Sequence, residues 1–208
     1  MTDKALRIVA GVASSLNPGV LEAVTLNGKA LAVWDRRQDA ALTEWLEELV
    51  GRGLPPFRRV IHPDDAGPAM ADYLAEVSPA PSPHRDALIG LVWQLAEVLA
   101  RITPCPRLRL RIDVSQTQSC PRWHLDAVTA RLICTLRGAG TEFGPVDGGP
   151  SPKTVNRIPT GAVAVFRGGL WPGEELSGIL HRSPPLAQRD PARVVLVLDP
   201  ITDEDEWE

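Results

Sequence analysis

The chain has 208 residues, a formal net charge of −4, 44% hydrophobic residues and 23% charged residues. These are ordinary globular values, so disorder along the whole length is not expected, and a weakly acidic chain gains little from the phosphate electrostatics of nucleic acid. No window approaches 18 apolar residues, which argues against a membrane span. Three cysteines and the absence of an apolar leader predict a reducing, cytoplasmic setting.

In chain order, the apolar run 30–34 reads as a strand. A helix begins at Asp39, places Leu42, Trp45, Leu46 and Leu49 on one face, and ends at Gly51 or Gly53. Asp64 and Asp65 are candidate caps for a second helix through Met70, Tyr73, Leu74 and Val77. Residues 78–83 (SPAPSP) read as a linker. A third helix is expected from about Asp86 to Ile102, apolar almost all round and so deeply packed.

Pro104 and Pro106 end that helix, and the periodicity changes. Leu108, Leu110 and Ile112 alternate with Arg107, Arg109 and Arg111, the period of a strand with one polar face. Runs 130–136, 162–166 and 193–198 also read as strands. Residues 137–161 hold six glycines and four prolines. So long an irregular connection is often functional, and it is expected to be a lid, with Glu142, Asp147 and Asn156 as its polar candidates.

Of the four histidines, His124 and His181 sit beside strand-like segments. If Trp123-His124-Leu125-Asp126 is a strand, His124 and Asp126 share a face and can share a metal. His181, far downstream, can complete a set of two histidines and one carboxylate, which leaves positions open on ferrous iron. Taken singly, each reads as readily as a core histidine, a turn carboxylate and a loop histidine before two prolines. Arg193 follows and opens the last apolar run. Its fork matches a carboxylate, though a solvated strand-edge arginine is an equally simple reading.

The motifs Cys120-Pro121-Arg122-Trp123-His124-Leu125-Asp126, Arg131-Leu132-Ile133-Cys134-Thr135, Gly138-Ala139-Gly140-Thr141-Glu142-Phe143 and His181-Arg182-Ser183-Pro184-Pro185 resemble the DUF1826 family of bacterial proteins. The family has no assigned activity. Its pattern carries a tyrosine where this chain has Leu136, and GTEW where this chain has GTEF. More remotely, Trp123-His124-Leu125-Asp126, His181-Arg182-Ser183 and Arg193 are similar to the motifs of phytanoyl-CoA-hydroxylase-like oxygenases. That resemblance implies Fe(II) on His124, Asp126 and His181, and Arg193 on the remote carboxylate of 2-oxoglutarate. Val195 stands where such enzymes often place a serine or threonine that assists.

Cys120 reads as a small buried hydrophobe or as a soft second-site ligand that would favour Zn(II). Cys134 should pack in the core, and Cys105 shows no role. Arg107, Arg109 and Arg111, with Arg122 and Arg131, make either an ion-paired sheet face or an anion-binding wall. Trp171 either lines an entrance or plugs one end.

The expectation is an α+β protein of one domain, 1–208. A mainly helical part (1–103) packs on a C-terminal β-barrel or jelly roll (104–200), double-stranded β-helix-like, with an acidic tail at 201–208. The expected activity is that of an oxygenase of the Fe(II)/2-oxoglutarate type. The alternatives are a non-redox divalent-metal, zinc-binding protein and a scaffold with a degenerate site. No nucleic acid or membrane partner is expected. The substrate, small molecule or protein, and the oligomeric state have no signature in the residues.

Overall fold

The computed structural model describes residues 6–187 and 190–201; the acidic tail beyond Ile201 lies outside them. The N-terminal part is less helical than its pattern predicts. It holds four strands: β1 (Arg7–Val9), β2 (Gly11–Ser15), β3 (Lys29–Trp34) and β4 (Phe57–Ile61). Only β3 has the apolar run of a buried strand. β2 is GVASS and β4 is FRRVI. Both are edge strands, whose polar, short composition suits a sheet margin and hides them from periodicity.

Helix α1 (Ala40–Gly51) is capped by Asp39, whose carboxylate accepts from the Ala41 N–H at 2.9 Å. It buries Leu42, Trp45, Leu46 and Leu49, the predicted face. Helix α2 (Ala66–Val77) follows a 3-10 turn at Pro63–Asp65. Asp65 precedes it without a side-chain cap, and the Asp64 N–H goes to the His62 ring at 3.3 Å. Helix α3 (Pro83–Ile102) starts ahead of Asp86, because Ser82 accepts from the His84 N–H and Pro83 fits the first turn. It buries Leu88, Leu91, Val92, Leu95 and Leu99, but Trp93 is 49% exposed, so the helix is not enclosed all round.

The remaining strands are β5 (Arg107–Ser115), β6 (Ala130–Arg137), β7 (Glu142–Pro145), β8 (Asn156–Arg157), β9 (Val163–Arg167), β10 (Glu175–Ser177), β11 (Ile179–Arg182) and β12 (Arg193–Ile201). Seven strands form a mixed sheet in the order β2-β3-β9-β6-β12-β5-β4, and three form a smaller sheet, β11-β7-β8. β1 pairs with β10 in parallel. Among the described residues the strands make separate sheets, with β2 and β4 as edges, and no pairing closes a barrel.

The alternation of β5 decides its two faces. Leu108, Leu110 and Ile112 join Cys134, Leu196 and Leu198 in the core under the helices, with Trp45, Leu74 and Leu95. Each such fully buried side chain contributes about 1.5–3 kcal/mol of transfer free energy. The other sheet face carries Ile133, Ala164, Phe166, Val195 and Val197, which share a second core with Ile179 and Phe143 of the smaller sheet. The rings of Phe166 and Phe143 lie 6.5 Å apart. The segment 137–161 is not irregular throughout: it supplies β7 and β8. Gly140 admits this, since a Cβ there would fall 1.7 Å from the Ile158 carbonyl oxygen.

Arg167 is 2% exposed and ties the 3-10 turns at Pro18–Thr25 to the sheet. It donates to the Val24 and Leu26 carbonyls at 2.8 Å each and to Glu175 at 2.9 Å. Trp171 lies against its guanidinium, 4.6 Å from the ring centroid, and braces this joint. No helix among the described residues is long and apolar enough to cross a membrane.

Candidate metal centre

The segment carrying His124 and Asp126 lies between β5 and β6 and is irregular, not the expected strand. Pro121 lacks a donor, which disfavours a ladder there. His124 alone pairs, in an isolated antiparallel bridge to His181 on β11. Asp126 is held from the turn that follows β9: the Gly169 N–H donates to its carbonyl at 2.7 Å. The approach requires Gly168, where a Cβ would fall 1.8 Å from the Val128 oxygen.

The three side chains converge, and their candidate ligand atoms all lie within 4.8 Å of one another. His124 Nδ1 is 2.9 Å from the Arg122 carbonyl, which accepts its proton, and His124 Nε2 stands 3.4 Å from Asp126 Oδ1. His181 Nε2 is 3.1 Å from Asp126 Oδ2. That approach makes no aligned hydrogen bond, so buried Oδ2 is orphaned, as is His181 Nδ1. A cation between two imidazole nitrogens and that oxygen would relieve the orphaned carboxylate, and the donor set fits a divalent metal.

The electrostatics agree with the geometry. Burial pushes the Asp126 carboxyl up, but the two histidines and Arg131 outweigh it and hold the group well below the usual carboxylate range. The Asp126 hydrogen bond raises His124, whereas burial lowers His181, which keeps its ring neutral. A neutral ring is the form that ligates a metal.

Arg131 on β6 donates through Nη1 to Asp126 Oδ1. Its Nε and Nη2 grip Asp199 at 2.6 and 2.9 Å, and Arg111 reaches the same carboxylate at 3.2 Å. Arg111 is thus ion-paired, and with Arg131 it also stands on the wall of the site cavity. Arg122 is exposed and contributes its carbonyl.

Arg193 is 5% exposed and faces the inner side with Val195 and Val197. Its Nε donates to the Ala139 carbonyl at 2.8 Å, Nη1 to Ser183 Oγ at 3.3 Å, and Nη2 to Thr141 and Thr135 hydroxyls at 2.7 and 3.3 Å. No carboxylate among the described residues pairs with it. Burial lowers its pKa to about 10. It lines a cavity of about 100 Å³ together with His124, His181, Thr141, Ser183 and Cys120.

Cys120 is exposed on this cavity wall, not buried as a small hydrophobe, because its segment is irregular. Cys134 is buried as expected and Cys105 is half-buried. Glu142 turns away from the cavity to pair with Arg157 and Arg182 at 2.8 and 2.9 Å. Asp147 accepts from the Lys153 N–H at 3.0 Å, and Asn156 is exposed on β8. Trp171 does not line the cavity. Thr135, Thr141 and Ser183 were not singled out by the sequence, although each lies in a motif quoted above. Asp199 gave no signal, reading as the polar end of an apolar strand.

A family model described as "Protein of unknown function (DUF1826)" matches residues 15–199. The chain belongs to this family. The departures of this DUF1826 chain have a structural account: Leu136 is buried under the helices, and Phe143 packs toward Phe166. No curated protein sequence matches it.

Among solved structures, dioxygenase for auxin oxidation 1 from Arabidopsis thaliana, in a binary complex with 2-oxoglutarate, is similar to the DUF1826 chain. The TM-score is 0.58 at 10% identity, covering 95% of this chain and 94% of that one. The rice dioxygenase for auxin oxidation gives 0.55 at 14%, covering 94% and 84%. A Pseudomonas putida prolyl-4-hydroxylase gives 0.51 at 14%, covering 88% and 99%. At these identities the likeness shows a shared fold.

Proposed function

We propose that the chain is a mononuclear non-haem iron oxygenase of the 2-oxoglutarate-dependent type, built on a double-stranded β-helix and working in the cytoplasm. One observation carries this reading. The His124, Asp126 and His181 cluster shares its cavity with Arg193, a buried guanidinium that pairs with hydroxyls and a backbone carbonyl and, among the described residues, with no carboxylate. His124, Asp126 and His181 would hold Fe(II), which supplies oxygen activation with 2-oxoglutarate as its two-electron co-reductant.

Arg193 would take the remote carboxylate of 2-oxoglutarate. Its hydrogen bonds go to neutral groups, so the buried charge lacks a counter-charge, which an anionic ligand would supply. Thr141, Thr135 and Ser183 hold the fork in place. They supply the hydroxyls that Val195 lacks. Val195, Val197 and Ile133 keep the intervening wall apolar, which limits water beside the ion.

A second reading, zinc held without redox chemistry, is favoured by Cys120 on the cavity wall, since a thiolate selects zinc. The deciding experiment is metal analysis of protein purified without oxygen, followed by an assay of 2-oxoglutarate conversion with Fe(II). Iron at one per chain and oxygen-dependent succinate formation support the oxygenase. Zinc at one per chain with no conversion supports the second reading.

A further inference from the structure

We propose that Arg131 and Asp199 form a clamp that sets the Asp126 carboxylate. Oδ1 is engaged by the guanidinium, and Oδ2 alone is offered to the ion. The proposal rests on the metal-site reading above and assigns a positioning role to two residues outside the ligand set.

The geometry points this way in three respects. Arg131 divides its donors: Nη1 goes to Asp126 Oδ1, while Nε and Nη2 hold Asp199 as a two-point fork. The fork fixes the plane of the guanidinium, so Nη1 has one direction in which to point. Asp199, 1% exposed, is itself held from the far side by Arg111 at 3.2 Å. Finally, the clamp leaves Asp126 asymmetric. Oδ1 is satisfied, whereas Oδ2 is buried and without a hydrogen bond, beside His181 Nε2.

That asymmetry matters to the chemistry of the site. A carboxylate free to rotate can chelate through both oxygens and occupy a position that a ligand needs. A carboxylate fixed through Oδ1 binds through one oxygen, so two histidines and one carboxylate leave the other positions open. Partners that orient a ligand in this way typically change metal affinity by about 10–100-fold. β6 and β12 are already joined by a continuous ladder from Leu132 to Cys134, so pairing of the strands does not require the ionic network.

The test uses the full chain with Co(II), whose visible absorption reports coordination number and geometry. Asp199→Asn keeps the volume but removes the charge that holds the fork. Arg131→Lys cannot grip Asp199 at two points and reach Asp126 as well. Both should fold as the wild type by circular dichroism, bind Co(II) about 10-fold or more weakly, and show an altered visible spectrum. Folded variants with wild-type affinity and an unchanged spectrum would overturn the proposal and leave the network as a brace. Loss of the fold in metal-free Asp199→Asn would overturn it too, by making the network part of the fold. Failure of wild-type protein to bind Co(II) at all is a separate result: it removes the metal site itself.

Discussion

His124 and His181 exchange both backbone hydrogen bonds, N to O at 3.1 and 3.0 Å, and their rings lie 4.5 Å apart. One bridge thus brings an irregular loop and strand β11 to the same carboxylate, that of Asp126. The bridge is made by the main chain, so it does not depend on which side chains stand there.

This gives the first prediction. His124→Ala and His181→Ala keep the bridge and the fold, and each loses stoichiometric metal binding. Circular dichroism and metal content after dialysis check this together. Wild-type metal content in both variants would remove the site. Unfolding of the variants would make the site structural.

Arg193 gives the second. A buried guanidinium without a carboxylate is costly in the absence of a ligand. 2-Oxoglutarate should therefore raise the melting temperature of the metal-loaded protein, and Arg193→Met should abolish that rise. Arg193→Ala should weaken 2-oxoglutarate binding by about 1.5–3 kcal/mol, with metal affinity nearly unchanged. A large fall in melting temperature for Arg193→Met would show that the residue braces the fold.

Acid sensitivity gives the third. The Gly28 N–H at 2.9 Å, with Arg7 and Arg167, holds the Glu175 carboxyl at about 2, against an ordinary 4.5. Its folded-state pKa is depressed, so its contribution is full above about pH 4.5 and is lost as pH falls toward 2. Glu175→Gln should melt below the wild type at pH 7, with the gap narrowing through that window. A gap that stays constant from pH 7 to pH 3 would contradict this account.

The fourth contrasts two neighbours on α3. Leu95 is wholly buried and Trp93 is half exposed. Leu95→Ala should cost about 2–5 kcal/mol, whereas Trp93→Ala should cost less, although it removes the larger side chain. Chemical denaturation of both variants measures the difference.

Particular residues show what the sequence could and could not reveal. β5 was legible because Leu108, Leu110 and Ile112 alternate against one core, and α1 because its apolar face and Asp39 cap agree. β2 and β4 were not, since edge strands bury little and carry no clean alternation. The start of α3 was misplaced because Ser82 and Pro83 sat inside an apparent linker. At the site, the residue types of His124, Asp126, His181 and Arg193 signalled their chemistry. Their setting did not follow: the pairing of His124 with His181 depends on backbone geometry between distant segments. Thr135, Thr141 and Ser183 surround Arg193 from three different segments, and Asp199 reaches Arg131 across two neighbouring strands. Such partners are set by register, which local pattern does not specify.

The central claim is that one cavity holds both a divalent ion and an anionic cosubstrate. The most direct measurement is calorimetric titration of 2-oxoglutarate into Fe(II)-loaded protein under anaerobic conditions, beside metal-free protein and Arg193→Ala. The account predicts one binding event per chain that requires the metal and is weakened about tenfold or more by Arg193→Ala. Absence of 2-oxoglutarate binding to the iron-loaded wild type would contradict it.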